Sequence, residues 1–237
     1  FQNSFNYTKQ MKLVEKFSYT SLVREDGGPN GRVYIDPDGN KLPSVTTILD
    51  KTKSEEKKKI LEAWARRMGH KKAEEIKNEA AFRGTLMHAY LEKHLKGLNP
   101  QSGTNYYHKQ GFKMANVILE SFLKPFLDEF WALETQLYYP GLYAGTTDMV
   151  GVYQGVESII DFKQTNRLKT DEMIEDYKVQ LAAYLSAHNK IHNTNISQGV
   201  ILMCSKDLEP QYWIIRGNDM QLAIDQWWNR VAQYHQV

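Results

Sequence analysis

Asp161 and Lys163 stand two residues apart in Ile159-Ile160-Asp161-Phe162-Lys163. In an extended strand that spacing sends both to one face and Ile160 and Phe162 to the other. A strand that buries its two apolar residues therefore presents a carboxylate and an ammonium side by side. Asp148, in Gly145-Thr146-Thr147-Asp148, precedes a turn signal at Gln154-Gly155, so a hairpin brings it near Asp161. Two carboxylates can hold Mg²⁺ or Mn²⁺, hard ions that take oxygen ligands. Such an ion polarises a phosphodiester and orients water, and a neighbouring lysine offsets charge on the phosphoryl oxygens. If Lys163 is also the general base, its pKa must be depressed. An Asp and a Lys two apart are also common on solvated sheet faces, so this pattern alone leaves an ordinary structural role open.

His88 shares a helical face with Gly84 and Leu91, and Gly84 leaves room for close packing. Its imidazole can complete a carboxylate-bound metal site or can bond to backbone at the core edge. Gln180 and Tyr184 lie four apart on a helix and face together. They can hold a phosphate, a base or Lys163, and equally can be a surface glutamine and a core tyrosine.

The elements that position these groups read as follows. Residues 31–35 form a short strand, a turn follows at Asp36-Pro37-Asp38-Gly39-Asn40, and Ser44 caps a short helix. Residues 54–68 carry a helical apolar stripe of Ile60, Leu61, Trp64, Ala65 and Met68, with Ser54 as cap. Helices are expected at 81–95 and at 112–130, the second kinked near Pro125, with 96–111 an exposed connection. Three strands follow at 131–138, 143–153 and 156–163, then an amphipathic helix at 171–186. Strands at 199–203 and 211–216 and a helix at 219–234 close the chain. The layout implies an α/β fold as one domain over 1–237. Residues 44–130 would be its mainly helical part, 131–216 its sheet core and 217–237 its closing helix.

With 30 basic and 28 acidic residues the net charge is +2, which neither implies nor excludes a nucleic-acid partner, because a focused basic channel can hide in a neutral total. Cys204 is the sole cysteine, so neither a disulfide nor a cysteine-held zinc or iron–sulfur centre is available within the chain; its apolar surroundings suit a small core residue. Neither a phosphate-loop sequence nor a Gly-x-Gly-x-x-Gly motif is present. No segment has the roughly 18 apolar residues of a membrane helix, so no membrane partner is expected. Phe1-Gln2-Asn3-Ser4 shows no secretory leader, although a chain beginning with Phe can already have been trimmed. The expected location is intracellular, cytoplasmic by default, with a viral origin or an organelle matrix left open.

The order of these motifs resembles the RecB-like branch of the PD-(D/E)XK nuclease superfamily. The carriers are His88 in Arg83-Gly84-Thr85-Leu86-Met87-His88, Asp148 after Gly145-Thr146-Thr147, Asp161-Phe162-Lys163, and Gln180-Leu181-Ala182-Ala183-Tyr184. The resemblance implies a restriction-endonuclease-like core, a mixed central sheet flanked by helices, with an N-terminal helical wall or arch. It implies that His88, Asp148, Asp161 and the Phe162 carbonyl bind metal and that Asp148, Asp161 and Lys163 are catalytic. Arg83, Thr165, Gln180 and Tyr184 would support the site or touch DNA. Within that branch, Leu42-Pro43-Ser44-Val45-Thr46 extends the likeness, over most of 31–190, to exonucleases that process single-stranded DNA ends through a helical arch. Residues 57–77 would then guide DNA, with Lys58, Arg66 and Arg67 on phosphates and Trp64 stacking on a base or buried; a merely solvated helix is the alternative. The chain lacks the four cysteines of iron–sulfur relatives and the length and motifs of the large helicase-nucleases.

The expected function is Mg²⁺- or Mn²⁺-dependent hydrolysis of DNA at single-stranded ends, by a monomer, in replication, repair or recombination. A structure-selective or nicking endonuclease and a noncatalytic DNA-binding scaffold remain alternatives. A glycosidase built on paired carboxylates gives Lys163 no role.

Overall fold

The computed structural model describes residues 11–28 and 31–236; residues 1–10, 29, 30 and 237, including the start read for a leader, lie outside it. The elements in chain order are β1 (Lys12–Leu13), β2 (Val23–Gly28), β3 (Gly31–Ile35), β4 (Lys41–Pro43), α1 (Val45–Lys51), α2 (Glu55–Met68), α3 (His70–Leu95) and α4 (Tyr106–Ile118). A π turn (Leu119–Leu123) and α5 (Lys124–Phe126) lead into β5 (Leu127–Tyr139), β6 (Tyr143–Tyr153) and β7 (Val156–Thr165). A 3₁₀ turn (Asp171–Ile174), α6 (Glu175–His192), β8 (Gln198–Ser205), β9 (Pro210–Ile215) and α7 (Gly217–His235) complete it.

Among the described residues, six strands form one mixed sheet in the order β1-β5-β6-β7-β8-β9, and β2-β3-β4 form a separate small sheet. β5, β6 and β7 run as an antiparallel meander. The β6–β7 turn places Gln154 and Gly155 at φ +49° and +79°, which suits a tight hairpin. α6 then crosses over so that β8 pairs parallel with β7. Helices cover both faces, which is why β8 is buried along its whole length. Its Ile201 and Met203 pack with Val179, Leu181 and Trp227 from the α6–α7 side. Its Val200, Leu202 and Cys204 pack with Met87 and Met114 from the α3–α4 side, where Ile160 and Phe162 of β7 also lie. The mixed sheet flanked by helices is thus the architecture expected from the motifs.

Several boundaries differ from the sequence reading. The helix expected at 81–95 begins at His70, directly after Gly69, whose φ of +84° breaks the chain between α2 and α3. The connection at 96–111 is partly helical, because the Asn105 side chain accepts the His108 N–H and caps α4. The helix expected at 112–130 stops at Phe126, so the strand portion starts at Leu127 rather than 131. The caps at Ser44 and Ser54 form as expected, accepting the N–H groups of Thr47 and Lys57.

The segment before β2 is pinned by an aromatic and imidazole cluster over α6. Phe17 sits 5.2 Å edge-on to the fully buried His188, whose Nε2 is 3.0 Å from the Tyr19 hydroxyl and Nδ1 2.8 Å from Thr194 Oγ1. Burial, then His192 and Lys16, push the His188 imidazole down to about 3. The ordinary value near 6.5 belongs to the unfolded chain, which therefore takes up this proton first as pH falls. The contribution of neutral His188 is complete above about pH 6.5 and is lost as pH drops toward 3, by about 1.4 kcal/mol per pH unit. Urea denaturation between pH 7 and 4 should show this slope, and His188→Gln should flatten it by one proton's worth while lowering stability at pH 8. An unchanged slope in the variant would contradict the assignment.

Candidate functional site

The site lies where two paired strands part. β6 and β7 are hydrogen-bonded from Tyr153↔Val156 as far as Met149↔Ile160. Beyond that point β6 continues beside β5 alone, and β7 continues beside β8 alone. The backbone of Phe162 thus loses its neighbour strand. Asp148, the next residue of β6, fills the gap: its Oδ2 accepts the Phe162 N–H at 2.7 Å. The Phe162 carbonyl is met by Nε2 of His88 at 2.9 Å, delivered from α3. A buried N–H and a carbonyl at a sheet fork are satisfied by side chains, as buried backbone groups must be.

Asp161 and Lys163 share the opposite face of β7 from Ile160 and Phe162, as the alternation requires. Lys163 Nζ lies 2.8 Å from Asp161 Oδ2, donates to Gln180 Oε1 at 2.9 Å and sits 4.8 Å from the centre of the Tyr177 ring. Gln180 Nε2 in turn donates to the Tyr184 hydroxyl at 3.3 Å. One face of α6 therefore holds the lysine by an amide, and the amide by a phenol. Tyr184 is seated against Gly145, where an added Cβ would come within 2.7 Å of the ring. Gly84 likewise faces the Gln164 side chain, at 3.1 Å from where its Cβ would be.

The structure adds Glu134 to the set. Its Oε1 is 3.4 Å from His88 Nδ1, and Asp148 Oδ1 is 3.5 Å from the same nitrogen. Ligand atoms of His88, Glu134 and Asp148 all lie within 4.8 Å of one another. Glu134 was absent from the sequence reading, yet the hairpin register held the signal: Leu133↔Met149 and Thr135↔Thr147 put 134 opposite 148. Its backbone stands at φ +46°, a left-handed conformation that costs a non-glycine residue on the order of 1–2 kcal/mol. Strain of this kind collects where function fixes a side chain.

The electrostatics show a surplus of negative charge. Burial drives the Asp161 carboxyl up to about 7; Lys163 opposes this and Asp148 adds to it. Burial alone would lower the His88 imidazole, but Asp148 and then Glu134 outweigh it and raise it to about 9. Burial would also lower Lys163, yet Asp161 and Asp148 hold it above the ordinary lysine range. Lys163 is thus a charged donor in this arrangement, without the depressed pKa that a general base would need. Three carboxylates facing one lysine form a donor set that fits a hard divalent cation, with His88, Glu134, Asp148 and the Phe162 carbonyl converging and Asp161 turned toward Lys163.

The other candidate residues divide. Arg83 is buried, with its guanidinium on Gln164, Gln110 and Asn166. Thr165 is buried and its hydroxyl donates to the Arg167 carbonyl at 2.7 Å, tying the loop after β7. Arg67 is exposed and lines the groove beside that loop. Lys58 and Arg66 do not join the cluster: Lys58 pairs with Glu55 at 2.7 Å and Arg66 approaches Glu62 at 3.9 Å. Lys57 is paired with Asp176 at 3.1 Å. Trp64 is half-buried and lines the groove with Arg67.

The strain at Glu134 gives a direct test. Glu134→Gly should raise the unfolding free energy in metal-free buffer by about 1 kcal/mol, read from urea melts, because glycine adopts this φ freely and a like charge beside Asp148 is removed. A loss of stability would mean that the glutamate supports the fold rather than burdening it.

No family model matches the sequence. Mitochondrial genome maintenance exonuclease 1 of Homo sapiens is 28% identical over 183 residues, covering 73% of this chain and 52% of that protein. The Xenopus tropicalis protein of the same name is 27% identical over 210 residues, covering 81% and 57%. The chain therefore spans about half the length of the curated relatives it matches. A crystal structure of a candidate exonuclease from Eubacterium rectale aligns with TM-score 0.45 and 18% identity over 67% of this chain and 65% of that one. No helix among the described residues is long and apolar enough to cross a membrane. By sequence, the chain is similar to the mitochondrial genome maintenance exonucleases, and its motif set resembles that of the PD-(D/E)XK nucleases.

Proposed function

We propose that the chain is a divalent-metal-dependent nuclease that hydrolyses DNA phosphodiester bonds from single-stranded ends. The observation that carries this reading is the pairing of Asp148 and Asp161 across the strand fork with Lys163 held beside them. The similarity to proteins named exonucleases supports it.

His88, Glu134, Asp148, Asp161 and the Phe162 carbonyl would hold Mg²⁺ or Mn²⁺. A cation bound there supplies Lewis-acid polarisation of the phosphate and a more acidic water. The chain's own groups do the rest. Gln180 and Asp161 fix the Lys163 ammonium so that it can donate to a phosphoryl oxygen, where charge grows in the transition state. Tyr184, seated against Gly145, keeps Gln180 from swinging away. Asp148 holds the Phe162 N–H and His88 approaches its carbonyl, so the backbone at the fork keeps one geometry through the reaction. A buried site also strengthens each of these interactions by excluding water.

Purified protein should digest end-labelled linear single strands in Mg²⁺ or Mn²⁺ and leave covalently closed single-stranded circles intact. Rapid cutting of the circles would replace the exonuclease reading with an endonuclease one. Lys163→Ala should keep its affinity for a single-stranded oligonucleotide in EDTA and lose cleavage by roughly 10²–10³-fold, the usual cost of removing a donor to a developing oxyanion. Cleavage at the wild-type rate would remove Lys163 from the chemistry.

A further inference from the structure

The strand that carries Lys163 runs on into a groove of about 580 Å³ between α2–α3 and the loop after β7. Its walls include Trp64 and Arg67 of α2, Arg83 of α3, Arg167 and Lys169 of the loop, and Lys206 beyond β8. Five cationic side chains thus line it, against one carboxylate, Glu79. The groove is continuous with the site, because Gln164 follows Lys163 in β7, and Tyr177, whose ring lies under the Lys163 ammonium, forms part of the wall.

Arg83 is the unusual member. It is 5% exposed, so its guanidinium is almost wholly removed from water. Its donors reach only amide oxygens: Gln164 at 3.1 Å, Gln110 at 3.4 Å and Asn166. Neutral amides orient a guanidinium but do not balance its charge, and among the described residues no carboxylate forms an ion pair with it. An uncompensated buried charge is costly unless an anion arrives. The neighbours reinforce the imbalance: burial, then Arg167, lower the Lys169 ammonium below the ordinary lysine range. Elsewhere on the molecule lysines and arginines commonly find carboxylates, as in Lys57–Asp176, Lys178–Glu175 and Arg230–Asp176. Arg83 also organises the groove floor, since Gln110 passes the contact on to the Lys206 carbonyl at 3.1 Å.

We propose that this groove is a second phosphate subsite, in which a backbone phosphate neighbouring the scissile one is the missing counter-ion of Arg83. Arg167, Lys169 and Lys206 surround that phosphate, and Trp64 offers a stacking face to a base. The subsite rests on the nuclease reading of the adjoining site. It reads charge and spacing rather than base identity, so it fixes which bond of a single strand comes to Lys163 without imposing a sequence.

The test uses short single-stranded oligonucleotides in which one phosphate at a time is replaced by an uncharged methylphosphonate. Binding is read by fluorescence anisotropy in EDTA, and the cut position is mapped in Mn²⁺. For the wild type, one replacement should weaken binding roughly tenfold, the effect of losing one charge-assisted contact, and should shift or blur the cut position. In an Arg167→Gln/Lys169→Gln variant, altered only at the groove rim, that replacement should matter several-fold less. The slope of log affinity against log salt should also fall by about 0.7 for each lost phosphate contact. Arg83→Lys keeps the charge without the planar fork and should blur the cut position while its circular dichroism spectrum stays native. A rim variant with the wild-type methylphosphonate profile and salt slope would overturn the subsite even if cleavage proceeds normally. If the wild type binds no oligonucleotide, the nuclease reading and the subsite both fall.

Discussion

The whole arrangement turns on one short hydrogen bond, from the Phe162 N–H to the Asp148 carboxylate. It sits where β6 leaves β7, and it allows the sheet to fork without stranding a buried backbone donor. Because a carboxylate rather than a third strand closes the fork, negative charge is built into the crotch of the sheet. Asp161 and Lys163 follow from the same geometry, since alternation along β7 sends them to the α6 side while Ile160 and Phe162 enter the α3–α4 core. The core therefore fixes the site: sliding β7 by one residue would bury the charges and expose the apolar pair.

The cost of this design is visible in the charges. Three carboxylates meet one lysine in a poorly hydrated place, the histidine among them is drawn toward protonation, and Asp161 is held near neutrality. Glu134 adds a strained backbone to the cluster. None of this favours the folded state by itself; it becomes reasonable once a divalent cation and a phosphate are present to balance it. The lysine illustrates the point. Its amide and phenol supports from α6 keep it charged and aimed, which suits stabilising an anion better than removing a proton from water.

Much of this was legible in the residues because local pattern and tertiary structure agree there. Ile160 and Phe162 alternating with Asp161 and Lys163 gave the strand and its faces, and Ser44 and Ser54 gave two helix starts. The failures have physical causes. The first turns of α3, from His70, are mostly charged, with Ala73 and Ile76 among few apolar contacts, so no apolar stripe announces them. The start of β5 imitates a helix: register shifts between Leu127 and Glu129 and between Phe130 and Ala132 leave Leu127, Phe130 and Trp131 at i, i+3 and i+4. Glu134 escaped notice because it matters only through the register of a hairpin, which places it opposite Asp148.

The claim on which the rest depends is that the fork is a cation site. The most direct test is an anomalous difference map from crystals of the protein grown with millimolar Mn²⁺. A peak enclosed by oxygens of Asp148, Asp161, Glu134 and Phe162 is the result expected. A fork without density while the side chains keep their positions, or manganese bound only elsewhere on the molecule, would contradict it.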